Sequence, residues 1–318
     1  MYATVSSSDT GVKYGPASTV AQNSMSTIIS QDTGQNLSVN ENLGARVSFP
    51  ILSRENSRLS LSGGLDAKRY FLQSHNTNNF DVTSTITNAS GSVTIRTNVP
   101  SPQPTYRSQA IYLPLNASLD YSETDSRGNS SASLGAVYNV LGQDSSFRQL
   151  AYTTKASPGF GRLGLYLTRE QRVSGDWSLF LRASGQVATG ALLSGEQFAL
   201  GGVNSVRGYY EGDDYGDHAW FASAEWRTPF LRTRVPTAGE YLPVWLRGFT
   251  FVDLGQRFLE EAAGNQPSTR TMVGAGFGVS ASLNNALDLR IALGWPLTDS
   301  ANTHSGDPRA TISLGGQF

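Results

Sequence analysis

The chain has 318 residues, with 24 Lys+Arg against 25 Asp+Glu and a formal net charge of -1, so it lacks the basic excess on which nucleic-acid binding depends. Its lack of any cysteine removes disulfides, thiolate metal sites and cysteine nucleophiles together. A mean hydropathy of -0.28 and the absence of any apolar run of about 18 residues exclude a transmembrane helix, but leave room for transmembrane strands of about 9 to 11 residues.

The N-terminus, Met1-Tyr2-Ala3-Thr4-Val5, has neither the basic nor the apolar region of a signal peptide. An export signal is therefore expected upstream. Residues 1–40 are rich in Ser, Thr, Asn and Gln, and they read as one strand followed by a polar loop. From Leu43 the alternation sharpens: Leu43, Ala45, Val47, Phe49 and Ile51 share one face, opposite Gly44, Arg46 and Ser48. Ser53-Arg54-Glu55-Asn56 reads as a turn, and Leu59, Leu61, Gly63 and Leu65 return.

The stretch from about Gln73 to Arg107 is rich in Asn, Thr, Ser and Pro and reads as a long loop of a kind that compact soluble domains rarely carry. Ile111, Leu113, Leu115, Ala117, Leu119 and Tyr121 then line one face. Asp125-Ser126-Arg127-Gly128 predicts a tight turn, and Ala132, Leu134, Ala136, Tyr138 and Val140 come back. Leu163, Leu165 and Leu167 form the next apolar face, and Trp177, Leu179, Leu181, Ala183 and Val187 oppose Ser178, Arg182, Ser184 and Gln186.

Farther on, Trp220, Ala222, Ala224 and Trp226 alternate with Phe221, Ser223, Glu225 and Arg227. Leu246, Gly248, Thr250, Val252 and Leu254 oppose Arg247, Phe249, Phe251, Asp253 and Gly255. Further alternating runs occupy Val273–Ala281, Leu287–Trp295 and Ile312–Phe318. The pattern predicts an all-β fold of about 12 antiparallel strands, an antiparallel transmembrane β-barrel. A soluble all-β protein would need a partner sheet for every apolar face. A bilayer supplies that partner, and closure removes the sheet edges.

One stretch breaks the alternation. Leu200-Gly201-Gly202-Val203-Asn204-Ser205-Val206-Arg207-Gly208-Tyr209-Tyr210-Glu211-Gly212 combines four glycines, which permit positive φ and close backbone approach, with one permanently charged arginine. It reads as a loop able to fold back and plug an interior. Alternation puts Asp253 on the polar face.

Glu196-Gln197-Phe198-Ala199-Leu200-Gly201-Gly202 followed by Val206-Arg207-Gly208-Tyr209 resembles the loop-6 signature of the outer-membrane transporters of two-partner secretion. These are the TpsB branch of the Omp85 superfamily, of the haemolysin secretion/activation type. Phe251-Val252-Asp253-Leu254-Gly255 resembles the family's F-x-D-x-G strand motif, and the terminal Phe318 resembles the aromatic residue read by the barrel-assembly machinery. The resemblance spans about residues 40 to 318.

It implies a barrel of about 16 strands, of which this chain supplies about 12, with a lumen-inserted loop whose Arg207 contacts Asp253. The implied function is export of a large, unfolded TpsA-like exoprotein to the cell surface without catalysis, cofactor or nucleotide hydrolysis. The implied surroundings are outer-membrane lipid and, during biogenesis, the barrel-assembly machinery. Residues 1–318 are expected to be barrel, with the family's periplasmic POTRA domains and opening strands outside this stretch.

Two other readings stand beside it. An Omp85-type insertase for outer-membrane proteins shares the superfamily. A barrel protease would need carboxylate and histidine pairs, for which Glu211, Asp213, Asp214, Asp217 and His218 are the candidates, although solvated loop charges explain them more simply. His75 and His304 stand apart, so neither a metal site nor a Ser-His-Asp triad has a constellation. Gly201-Gly202 lacks the Gly-Lys-Ser/Thr of a phosphate loop. Trp177, Trp220, Trp226, Trp245 and Trp295 are expected at membrane interfaces or packed in a lumen.

Overall fold

The computed structural model describes residues 2–9, 13–14, 18–22, 26–88, 91–151, 153–236, 241–262, 266–283 and 286–316. The described residues are all-β and antiparallel apart from one short helix, and the chain divides into two units.

The first unit holds residues 1–44 and 67–112. β1 (Tyr2–Asp9), β2 (Lys13–Tyr14) and β3 (Ser18–Gln22) each pair with β4 (Ser26–Ser53). β5 (Ser57–Asn88) pairs over its distal part with β6 (Gly91–Pro102) and then with β7 (Tyr106–Tyr112). Two expectations are corrected here. The polar loop expected before residue 40 includes the start of a 28-residue strand, and most of the loop expected over 73–107 is a ladder running from Thr77↔Pro102 to Asn88↔Gly91. The physical reason is the Thr and Val content: Val82, Thr83, Thr85 and Thr87 face Thr97, Arg96, Thr94 and Ser92. β-branched residues suit the extended backbone whatever their polarity. Thr85 and Thr94 share a hydroxyl hydrogen bond of 3.1 Å, and Asn98 donates to Asp81 at 2.7 Å.

The second unit holds residues 45–66 and 113–318. The proximal part of β5 pairs with β8 (Pro114–Asp125), followed by β9 (Gly128–Asn139), helix α1 (Asp144–Leu150), β10 (Gly161–Ser174) and β11 (Trp177–Ala188). A small pair, β12 (Phe198–Leu200) and β13 (Asp214–Gly216), stands off the sheet. The sheet then continues through β14 (His218–Arg227), β15 (Leu231–Pro236), β16 (Tyr241–Phe258), β17 (Thr269–Leu283), β18 (Leu287–Pro296) and β19 (Arg309–Gly316). The expected single run from Ile111 to Tyr121 breaks at Leu113, whose N–H leaves the ladder to donate to Asn139 Oδ1 at 2.9 Å.

Burial in this unit runs opposite to that of a water-soluble protein. Val252 is 55% exposed and Ile312 71%, while Asp253 is 0% and Glu225 2% exposed. Charged residues are almost never so buried unless paired, and a continuous exposed apolar face calls for an apolar surround. The alternation thus places hydrocarbon on one face and ionised groups on the other, as a bilayer-facing wall demands.

The connections alternate in length. Asp125↔Gly128 and Ser174↔Trp177 close tight turns at one end, while the segments 140–160, 189–217, 259–268 and 297–308 join strands at the other. On the apolar face Trp177 stacks on Trp226 at 5.8 Å. Trp220 lies six residues along the same strand from Trp226, a span of about 20 Å at about 3.3 Å per residue.

Candidate functional site

The long segment between β11 and β14 does not go out into solvent; it folds back on the polar face of the sheet. Its β12–β13 stem pairs Phe198↔Gly216 to Leu200↔Asp214. Beyond the stem, Gly201 and Gly202 both take φ +99° and Gly208 takes φ +97°, values that cost a side-chain-bearing residue roughly 1 to 2 kcal/mol. Gly202 N donates to Val206 O at 3.1 Å and Ser205 N to Gly202 O at 3.2 Å, which turns the chain so that Val206 and Arg207 point at the wall.

Arg207 is fully engaged. Its Nε donates to Asp253 Oδ2 at 2.7 Å and its Nη2 to Oδ1 at 2.8 Å, while its backbone N–H reaches the same carboxylate at 3.0 Å. Nη1 donates to Glu225 Oε2 at 2.8 Å and Nη2 to Ser223 Oγ at 3.1 Å, and Ser223 Oγ donates to Asp253 Oδ1 at 2.6 Å. The guanidinium lies 3.5 Å over the Phe251 ring. Fork-shaped guanidinium and carboxylate match in geometry, and all three charged groups are buried.

The wall is shaped for this contact. Across the β16–β17 ladder Asp253 faces Gly274, Phe251 faces Gly276 and Phe249 faces Gly278. A Cβ on Gly274 would come within 2.1 Å of Arg207 O, and one on Gly294 within 2.7 Å of Gly208 N. Gly255 is covered by Leu200 and Val206, which join Tyr209, Ala219, Phe221 and Met272 in a buried apolar cluster. The Tyr209 hydroxyl donates towards Val273 O and Thr298 O at 2.9 and 2.8 Å, and accepts from the N–H groups of Val273 and Thr298, both at 3.2 Å.

The structure thus brings Gly201, Gly202, Val206, Arg207, Gly208 and Tyr209 against Phe251, Asp253 and Gly255; Phe318 lies outside the described residues. Sequence reasoning missed Ser223 and Glu225 as partners of Arg207, and Gly274 and Gly294 as the recess that receives its backbone. The alternation already put Ser223 and Glu225 on the polar face. The missing signal was register, which sets Ser223 opposite Asp253 and Glu225 opposite Phe251.

A wider network surrounds the site. Glu225 also accepts from Arg227 Nε at 2.7 Å and from Arg290. Glu170 pairs with Arg227 and Arg247 at 3.2 and 3.1 Å. Arginine–aromatic stacks recur, with Arg290 3.9 Å over Phe249 and Arg227 4.1 Å over Phe180. A cavity of about 820 Å³ lies here, lined among others by Glu170, Arg247, Arg290, Trp245 and Phe249.

The acidic and histidine cluster is used structurally. Asp217, fully buried, accepts from Leu192 N, Gln197 Nε2 and Glu260 N at 2.9 to 3.1 Å. Asp214 accepts from Arg257 and Arg270 at 2.9 and 3.0 Å. Asp213 accepts from Asn302 at 2.9 Å and also from Ser300. His218 takes the Ala188 N–H on Nδ1 at 3.2 Å and so presents Nε2–H to Glu260 at 2.7 Å. Glu211 caps Val203 N at 3.0 Å. With their oxygens committed to loop backbone and arginines, these groups hold the loop's base and tip to the sheet.

The Omp85 superfamily domain matches residues 10–318. No curated protein matches the chain. Among solved structures it is similar to CdiB from Escherichia coli, with a TM-score of 0.49 and 14% identity over 98% of this chain and 62% of that one. It is also similar to BamA from Haemophilus ducreyi lacking POTRA domains 1-3 (0.47, 10%, 98% and 70%) and to CdiB from Acinetobacter baumannii (0.46, 14%, 98% and 59%). The chain spans about three fifths of the length of the CdiB chains.

Proposed function

The chain belongs to the Omp85 superfamily, and on that premise we propose that it is the barrel of a two-partner-secretion pore. In this reading it sits in the outer membrane and passes a large TpsA-like exoprotein to the cell surface without nucleotide hydrolysis. The polar face is the pore wall and the glycine loop its plug.

The observation that carries the reading is how the loop is fastened. A permanently packed element needs only apolar contact, whereas this one is centred on a buried Arg207–Asp253–Glu225 cluster. A buried ion pair adds little net stability over an apolar replacement, and its best-attested use is to specify one arrangement among several. Such a contact holds the plug in one register and lets go as a unit. The neighbouring cavity supports passage of an extended chain. Arg227, Arg247 and Arg290 balance Glu170, Glu225 and Asp288 there, beside Phe230, Trp245 and Phe249, so the wall offers polar and aromatic contact without a strong charge of either sign.

The test is export of a TpsA-like exoprotein, sought among the products of neighbouring genes, by cells carrying the transporter, with Arg207→Ala and Asp253→Ala as variants. Export is expected from the parent. Each variant should reduce it about tenfold or more, because a plug without its ion pair no longer returns to one register, while heat-modifiable mobility reports an inserted barrel. The double variant should be no worse than either single one. Absent export, combined with faster membrane insertion of an unrelated barrel protein, would assign the chain to the insertase branch instead.

A further inference from the structure

We infer that Arg182 is a reserve cation for Asp253: its guanidinium takes the carboxylate when the loop leaves and carries Arg207 away. The inference rests on the reading of the loop as a removable plug.

Register sets the geometry. Arg182 on β11 is opposite Ser223 on β14, and Ser223 is opposite Asp253 on β16. The three residues form one row, and side chains in one row of a sheet share a face. Two strand spacings, about 10 Å between Cα atoms, separate Arg182 from Asp253, with only the short Ser223 side chain between. Arginine is long enough to cross that gap.

In the docked state Arg182 makes no ion pair among the described residues, although the Asp253 and Glu225 carboxylates attract it from along the wall. Its Nε is buried without a partner, and its contact is a stack 4.9 Å over the Phe221 ring. The neighbouring arginines 207, 227, 247 and 290 are all ion-paired. Asp253 and Glu225 already share three of those cations, so the attraction they exert on a fourth is opposed by the repulsion of Arg207 across a poorly screened interior. A buried polar atom left unsatisfied has a cost and calls for a reason.

Loop departure supplies the reason. Glu225 would keep Arg227 and Arg290, but Asp253 would keep only the Ser223 hydroxyl. A buried carboxylate stripped of its cation is strongly unfavourable. Phe221 loses cover at the same moment, because it belongs to the apolar cluster that Leu200 and Val206 complete. The stack that parks Arg182 is thus loosened by the same event that exposes Asp253, and Arg182 acts as a positioning residue for the open state.

The test uses the full transporter refolded into lipid vesicles. Methionine replaces arginine to preserve bulk. Arg207→Met is expected to fold to at least half the parent yield, judged by heat-modifiable mobility, because Arg182 takes over. Adding Arg182→Met should lower the folded yield by about a further tenfold, well beyond the product of the single effects. Adding Asp253→Asn to that double variant should restore yield to within about twofold, since the orphaned charge is gone.

These 318 residues contain no cysteine, so cysteines introduced at Asn204 on the loop and Ser126 in a tight turn, with any others in the full transporter replaced, can carry spin labels that report loop position. Arg182→Met alone should narrow the released population. The inference is overturned if Arg207→Met cannot fold, if the double variant follows the product of the singles, or if Asp253→Asn does not rescue it. A loop that stays docked in every variant sinks the pore reading as well, whereas release without the Arg182 dependence sinks only this inference.

Discussion

Two of the long excursions of this protein satisfy their backbones in opposite ways. The β5–β6 hairpin pairs with itself residue by residue from Thr77↔Pro102 to Asn88↔Gly91, and Val93, Ile95 and Val99 stand exposed along it. The glycine loop between β11 and β14 has only a three-residue ladder. Beyond a few turns of its own it hands polar groups to its surroundings, as Arg207 N does to Asp253 and the Tyr209 hydroxyl to Val273 of the wall and Thr298 of the next connection. A ladder is generic and tolerates substitution. A loop fastened by particular side chains depends on each of them.

The sharpest way to break the contrast is at the centre of the fastened loop. Asp253→Ala leaves the Arg207 guanidinium buried with Glu225 and Ser223 alone, and should destabilise loop docking by about 3 to 5 kcal/mol. Hydrogen exchange of the Val206–Tyr209 amides in detergent micelles would register it as lost protection. Next comes Gly274→Ala. Its new Cβ would stand 2.1 Å from Arg207 O, and such overpacking costs about 1 to 3 kcal/mol. Limited proteolysis should then cut within the loop while the barrel stays heat-modifiable.

On the other excursion, Ile95→Thr keeps a β-branched side chain at an exposed position and should change stability by no more than about 0.5 kcal/mol. A thermal shift as large as that of Gly274→Ala would erase the distinction drawn between the two regions. The smallest effect concerns the tight turn after β8, at the margin of the apolar face. There Arg169 bonds Asp125 at 2.7 and 3.2 Å and holds its carboxyl down to about 2. A depressed carboxylate favours the fold above its unfolded pKa, and that contribution fades as pH falls through the range from about 4 to about 2. Carboxyl carbon shifts should follow this titration, and Arg169→Gln should move the midpoint up towards the usual aspartate range without reaching it, because the Arg127 N–H still donates to the carboxylate at 2.7 Å.

The same contrast explains what could be read from the residues alone. Alternation from Leu246 to Gly255 was enough to put Asp253 on the polar side, and four glycines around a lone arginine marked the segment that folds back on the wall. Ser223 and Glu225 stayed hidden because partnership across strands depends on register, which one strand's alternation does not reveal. Gly274 and Gly294 stayed hidden because a glycine that receives another backbone looks like any other strand glycine. The polar hairpin was misjudged for another reason: its Thr-rich composition resembles a loop by polarity and a strand by branching, and branching prevailed.

The fastening of Tyr209 and Asp213 has a consequence beyond the loop. Tyr209 is bonded to Thr298, and Asp213 to Ser300 and Asn302, so the glycine loop is tied to the 297–308 segment that joins β18 to β19. Neither can lift without breaking the other's hydrogen bonds. The two segments are therefore expected to open and close together. A protease cut at residues 301–302 would shorten the lifetime of the closed loop some 90 residues upstream in sequence, although the scission leaves every atom of that loop in place.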